Sequence, residues 1–395
     1  MGTMENPLLT ARLQFALTAG SHFLFVALTL GLVTLIVVMQ TRATLTGSAV
    51  HRRMVRFWGR LYVINYAVGI VTGLVMEFQL GLNWTGLAET TGDVFGVPLA
   101  LETVGAFFVE ATFLGLWIFG WDRFNKWAHL AMITIVAATA YVSAFFIMVT
   151  NGWLKRPVGH SMVDGKAVLT DFGAMLTNPA AVTGFWHVLF GALLTAGFFM
   201  AGVSAYHLRR RHPDTEFFRR SARIGIITAA AALLPTVTFG GMQFAYVEGP
   251  EGVTTDPLPL AAAARNVMMF DWFLMGLCVV VLVAMALVTP LLLRARPLHL
   301  LTVAAIPLPY LAMIAGWISR ELTRQPWAVT GILRTEDALA PMTAGQAQVS
   351  FACFVSLFAV LIGVNFWLLA RHARRGPAPA EAPVRQPAPV PAPTF

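Results

Sequence analysis

Residues 12–38, "RLQFALTAGSHFLFVALTLGLVTLIVV", decide the fold. Past Arg12 the run holds one titratable side chain, His22, and it exceeds the about 20 apolar residues that carry a helix across a bilayer. No basic stretch precedes a small-residue cleavage site, so the segment reads as a retained membrane helix and not as a secretion signal.

The rest of the chain repeats the pattern. Of 395 residues, 57% are hydrophobic and 12% charged, with a mean hydropathy of +0.70, outside the range of soluble domains. The same length criterion places nine spans near 13–39, 57–79, 98–121, 128–150, 184–207, 223–243, 267–293, 299–319 and 349–370. The expected fold class is therefore an all-α polytopic membrane bundle of nine helices. Cys278 and Cys353 lie in separate apolar runs without metal-ligand spacing, so neither a disulfide framework nor a zinc site is indicated.

The net charge of +8 does not point to nucleic acid, because the basic residues occupy the short loops where lysine and arginine set topology. With the N-terminus outside and the C-terminus cytoplasmic, 19 of the 27 basic residues fall on the cytoplasmic side, including the cluster at 209–223. Residues 1–375 form the expected membrane domain, with a short outer loop at 244–266. Residues 376–395 are Pro/Ala-rich and are expected to be a disordered cytoplasmic tail.

In this orientation His22, Glu77, Glu102, His187, Met268 and Glu321 come from six helices and share a depth band toward the outer surface. Such side chains are costly in lipid and normally face the bundle interior. Taken singly, a membrane histidine is more often a packing residue than a ligand, and most of the 17 methionines must be core filler. Glu102 and Glu110 differ, because two carboxylates in one apolar helix are expensive. Their eight-residue spacing puts them on neighbouring faces about two turns apart. The chemistry that would use this set is haem chemistry: a His/Met pair fills both axial positions of an iron, whereas a single ligand leaves one position open for oxygen.

Five ordered stretches, "RLQFALTAGSHFLFVALTLGL" (12–32), "GLVMEFQLGLNW" (73–84), "LETVGAFFVEATFLGLWIFGW" (101–121), "NGWLKRPVG" (151–159) and "GWISRELTRQPW" (316–327), resemble subunit I of the cytochrome bd family of quinol oxidases. The resemblance spans all but the tail. It implies a quinol:oxygen oxidoreductase of the bacterial inner membrane with a low-spin haem b and two high-spin haems, one of them a haem d. It also implies a second membrane subunit and possibly a small single-span subunit as partners.

By the same resemblance, His187 and Met268 are the low-spin ligands, with Met269 the alternative to Met268. His22 and Glu321 are ligands of the high-spin pair, with Glu102 beside them as a possible distal ligand. Glu102, Glu110 and Ser143 belong to a proton route from the cytoplasm, and Gln243 and Glu248 to the quinol site. Arg320, Arg324, Gln325, Trp317 and Trp327 would bind propionates and fix the helix end. The chain departs from the pattern in its short loop at 244–266, at Thr323, which stands for the glycine before RQPW, and at three further positions. Gln243 stands at the lysine position of the quinol loop, Asn266 stands where the family has an arginine, and Asp271 adds a negative charge one turn after Met268. The last two would lower the potential of the low-spin haem.

Two other readings remain open from the residues themselves. One is a divergent b-type membrane cytochrome that moves electrons without reducing oxygen. The other is a haem-free proton-coupled transporter using Glu102, Glu110 and Asp271, against which stands the lack of any internal repeat.

Overall fold

The computed structural model describes residues 5–246, 253 and 258–379. Among them nine helices are long and apolar enough to cross a membrane. These are α1 (Pro7–Thr46), α2 (Ala49–Asn83), α3 (Thr85–Phe119), α4 (Lys126–Lys155), α5 (Pro179–Arg209), α6 (Thr215–Met242), α7 (Pro259–Leu287), α8 (Arg296–Leu322) and α9 (Ala344–Arg375).

Most of the helices start before the apolar stretch expected for them, and at several of them a capping side chain that hydropathy does not register sets the start. Asn6 caps α1 by accepting from Leu8 and Leu9 N–H, and Asn178 caps α5 by accepting from Ala180 N–H. Thr343 and Gln346 form a reciprocal capping box on α9.

Two spans differ in kind from their expected form. The run expected at 299–319 is broken into Arg296–Ala304 and Leu308–Leu322, where Pro307 and Pro309 withdraw backbone donors. The run expected at 267–293 ends at Leu287, followed by a separate short helix, Thr289–Arg294. Pro290 has no N–H to return to the Ala286 carbonyl and its ring crowds that carbonyl, so the helix cannot run through and Val288 is extended.

α1 and α5 are the most enclosed spans and form the centre of the bundle. Small residues let them meet closely. A methyl built on Gly31 of α1 would stand 2.2 Å from the Ala192 carbonyl oxygen of α5. Gly197 of α5 and Gly225 of α6 are equally tight, each with the other's carbonyl oxygen within 2.8 Å of its absent Cβ. Lipid tails are as apolar as leucine, so such dispersion contacts, not exclusion from water, hold membrane helices together. The two central helices are the ones that carry His22 and His187.

The face of the bundle bearing the N-terminus also carries two small hairpins. Strands His160–Val163 and Lys166–Leu169 pair antiparallel, with Val163 opposite Lys166. Asp164 and Gly165 between them both have positive φ, 49° and 79°, as a two-residue hairpin turn requires. Strands Trp327–Val329 and Leu333–Arg334 form the second hairpin, directly after α8.

Candidate functional site

His187 on α5 faces α6 beside the proline inside that helix. Its Nδ1 is 2.8 Å from the Thr236 carbonyl oxygen, one residue after Pro235 inside α6. Nδ1–H donates to that carbonyl, so Nε2 keeps its lone pair for a ligand. Gly240 makes the approach possible: a Cβ there would stand 2.8 Å from the imidazole Cε1.

Across the same cavity, Met268 of α7 rests on Gly316 of α8, whose absent Cβ would be 2.6 Å from the sulfur. His187 and Met268 both line a cavity of about 130 Å³ whose other walls are apolar, including Leu194, Phe244, Trp272 and Met313. Met269 also borders it but is 41% exposed.

His22 on α1 shows the same device. Its Nδ1 is 2.9 Å from the Thr72 hydroxyl, which is itself committed to donating to the Gly69 carbonyl at 2.8 Å. The hydroxyl must accept from Nδ1–H, which again leaves Nε2 bare. Gly73 opens space beside the ring, with its absent Cβ 3.3 Å from Cε1.

Trp317, one turn before Glu321 on α8, packs edge-on against Phe23 with ring centroids 5.6 Å apart and touches Gly20. These residues flank His22, so the face of α8 that carries Glu321 is turned toward α1. Glu321 Oε2 pairs with Arg324 at 2.6 Å, whereas Oε1 has only a long 3.5 Å contact with Asn151. A contact of that length is weak, so Oε1 is the oxygen available to a further group.

Around Glu321 the structure gathers Lys155, Arg320 and Arg324, three cations to one carboxylate. Arg320 Nε donates to Asn151 Oδ1 at 2.8 Å and Nη1 donates to Gln243 Oε1. Arg320 Nη2 and Arg324 Nε are sealed from solvent with no partner among the described residues. Lys155 and Asn151, both in "NGWLKRPVG", were not singled out from the sequence as site residues. Lys155 is only 9% exposed, but a lysine at the end of a span is ordinary in sequence and gave no signal.

Glu102 and Ser143 meet across α3 and α4. Ser143 Oγ donates to Glu102 Oε1 at 2.7 Å, and Thr103 Oγ1 donates to Oε2 at 3.1 Å. The expected start of this span at 98 is corrected, because α3 begins at Thr85 and Glu102 stands near its middle. The expected neighbouring-face geometry is corrected too. Residues Leu101–Phe107 form a π-helical segment, whose wider turns turn an eight-residue spacing into nearly one face. Glu110, 6% exposed, faces the phenol of Tyr66 on α2, and both Glu110 and Glu77 lie within electrostatic reach of Glu102.

Other expected residues are committed locally. Gln325 Nε2 reaches back to the Glu321 carbonyl at 3.4 Å, and its Oε1 accepts from Thr335 at 3.2 Å. Trp327 lies under the Arg334 guanidinium, 5.6 Å from the ring centroid. Both contacts secure the hairpin after α8. Asp271 is buried, with Oδ2 unpartnered. Glu248 lies outside the described residues.

These donors suit haem better than a bare ion. Among the described residues no three His, Cys, Asp or Glu side chains converge on one point. They come one per helix, as an iron that brings four ring nitrogens of its own requires. Glycine seats at 73, 240 and 316 provide space, and the unpartnered guanidinium nitrogens match the carboxylates such a group carries.

The family model described as cytochrome bd terminal oxidase subunit I matches residues 10–268 and 257–377. The chain is 33% identical to cytochrome bd ubiquinol oxidase subunit 1 of Bacillus subtilis, covering 94% of both chains. It is 29% identical to cytochrome bd-II ubiquinol oxidase subunit 1 of Escherichia coli, covering 95% of this chain and 98% of that one. Its fold matches the solved bd oxidase from Geobacillus thermodenitrificans with a TM-score of 0.84 at 24% identity, over 95% of this chain and 100% of the other. Bacterial relatives and nine apolar helices make it a multi-pass protein of the bacterial inner membrane. On a family match running almost end to end, the chain belongs to the cytochrome bd terminal oxidase subunit I family.

Proposed function

We propose that this chain is the haem-bearing subunit of a quinol oxidase, taking electrons from quinol at the outer face and reducing oxygen to water. The observation that carries the proposal is the pairing of His187 Nε2 and the Met268 sulfur on one cavity, each seated against a glycine. When bound, haem would supply electron transfer at the His187–Met268 site and oxygen binding beside His22 and Glu321.

His187 and Met268 hold the low-spin haem b. The inward placement of the Met268 sulfur over Gly316, against the exposure of Met269, favours Met268 as the ligand. His22 and Glu321 hold the high-spin pair, one of them haem d, with Glu102 beside them. Lys155, Arg320 and Arg324 receive carboxylates from these groups. Trp317 sets the distance between α8 and α1.

Glu102, held by Ser143, and Glu110, facing Tyr66, pass protons along the face that the π-helical segment creates. The preponderance of basic residues on the opposite loops puts the N-terminus and both hairpins outside, so protons reach Glu110 before Glu102. Gln243 binds quinol with Glu248. The membrane domain is 1–375 and 376–395 a cytoplasmic tail. A subunit II-like membrane protein completes the enzyme, with a small single-span subunit as a further partner.

The test is an optical spectrum of the purified complex followed by oxygen uptake with a reduced quinol analogue. Soret and α bands that sharpen on dithionite reduction, together with uptake, are expected. Flat spectra from haem-replete cells would sink the proposal. Haem bands without uptake would reduce it to an electron-transfer cytochrome.

A further inference from the structure

We infer that Arg320 is the positive charge that sets the electron affinity of the His187–Met268 site and receives a carboxylate of the group held there. The inference rests on the function proposed above. Gly316, which seats Met268, and Arg320 are four residues apart on α8 and so share a face, with Arg320 one turn nearer the N-terminal face of the bundle. On α5, Gly184 lies three residues before His187, and its absent Cβ would be 3.9 Å from Arg320 Nη2. The guanidinium therefore stands about a turn from both ligands and within electrostatic reach of His187.

Its electrostatic state is unusual. Both of its recorded partners, Asn151 Oδ1 and Gln243 Oε1, are neutral, and Nη2 is sealed from solvent without one. The adjacent Glu321 gives its short contact to Arg324 instead. With one carboxylate shared among three cations, Arg320 is only partly compensated, which is costly in such surroundings, and a carboxylate arriving with the prosthetic group is the natural offset. A fixed positive charge this close stabilises the electron-richer reduced form. The exposed Asn266 supplies no charge there, and the buried Asp271, one turn beyond Met268, acts in the opposite sense.

The experiment is a spectroelectrochemical titration of the low-spin α band in the complete membrane complex. Arg320→Gln should lower the midpoint potential while the band persists, Arg320→Lys should lower it less, and Asp271→Asn should raise it. If Arg320→Gln fails to assemble, Gln243→Glu sets a counter-charge against Nη1 with Arg320 in place, and should also lower the midpoint. A wild-type complex without any low-spin signal would overturn the proposed function itself. A signal abolished by His187→Ala, yet with one unchanged midpoint in Arg320→Gln or Gln243→Glu, would overturn this inference alone.

Discussion

The imidazole of His187 is held 2.8 Å from the Thr236 carbonyl oxygen by its Nδ1, and this one contact fixes both the tautomer and the direction of Nε2. His187→Ala should abolish the low-spin α band and leave the high-spin features, since His22 and Glu321 lie on other helices. Gly240→Val should do the same less completely, because its side chain would fill the space 2.8 Å from the ring. Reduced-minus-oxidised spectra measure both. Loss of every haem feature together in His187→Ala would mean that the residue holds the fold and not the cofactor.

The seat of Met268 gives an independent test. Gly316→Val would put branched carbon where only 2.6 Å separates the absent Cβ from the sulfur, so Met268 must leave its position. The low-spin signal should convert to high spin with little loss of total haem. Met269→Leu should leave it unchanged. The reverse result would shift the ligand by one residue.

Ser143 and Glu102 should be coupled in proton delivery. An interhelical hydrogen bond inside a membrane is worth about 1 kcal/mol, so Ser143→Ala should slow oxygen uptake about fivefold. Glu102→Gln removes the titratable group itself and should cost far more. Ser143→Thr, which retains the hydroxyl, should stay near the wild-type rate. Equal rates for Ser143→Ala and wild type, with Glu102→Gln inactive, would take the hydroxyl out of the route.

What the sequence revealed and what it hid follow from the same physics. His22, Glu102, Glu110 and His187 stand out because a titratable group in an apolar helix needs a reason to be there. The partners that make them usable do not stand out. Thr72, Thr236, Gly240 and Gly316 are ordinary residues for a membrane helix, and only the packing of distant segments aligns them with a ring or a sulfur. Lys155 hid at the end of a span, where a lysine normally reaches toward the headgroups and here turns inward. Gln325 and Trp327 were legible as a motif, but the contacts they make with Thr335 and Arg334 in the hairpin were not. The π-helical segment was invisible for a further reason, since no residue preference distinguishes it from α-helix.

Stability should depend most on the glycine contacts at the bundle centre. Gly197→Leu forces a side chain into a gap where the Ala229 nitrogen is 2.8 Å from the absent Cβ, and overpacking of this kind costs about 1–3 kcal/mol or more. Gly115→Ala, at a position with nothing within 4 Å, should be neutral or slightly stabilising through helix propensity. Thermal unfolding in detergent should rank Gly197→Leu well below wild type and Gly115→Ala level with it. Matching midpoints for all three would remove close α5–α6 packing as the source of stability.

Gln243 offers the least intuitive prediction. Replacing it by the lysine that the family pattern places there ought to improve quinol use if position 243 acted alone. In this chain Gln243 Oε1 accepts from Arg320 Nη1, and a lysine would remove the acceptor and set two cations against each other. Gln243→Lys should therefore raise the KM for quinol or destabilise the complex, and adding Arg320→Ala should recover part of the loss. A double-mutant cycle on KM and thermal midpoint measures that coupling, expected at about 0.5–3 kcal/mol for residues in one hydrogen-bonded network. Strict additivity would show that the glutamine and the arginine are independent, and that the changed quinol position needs another explanation.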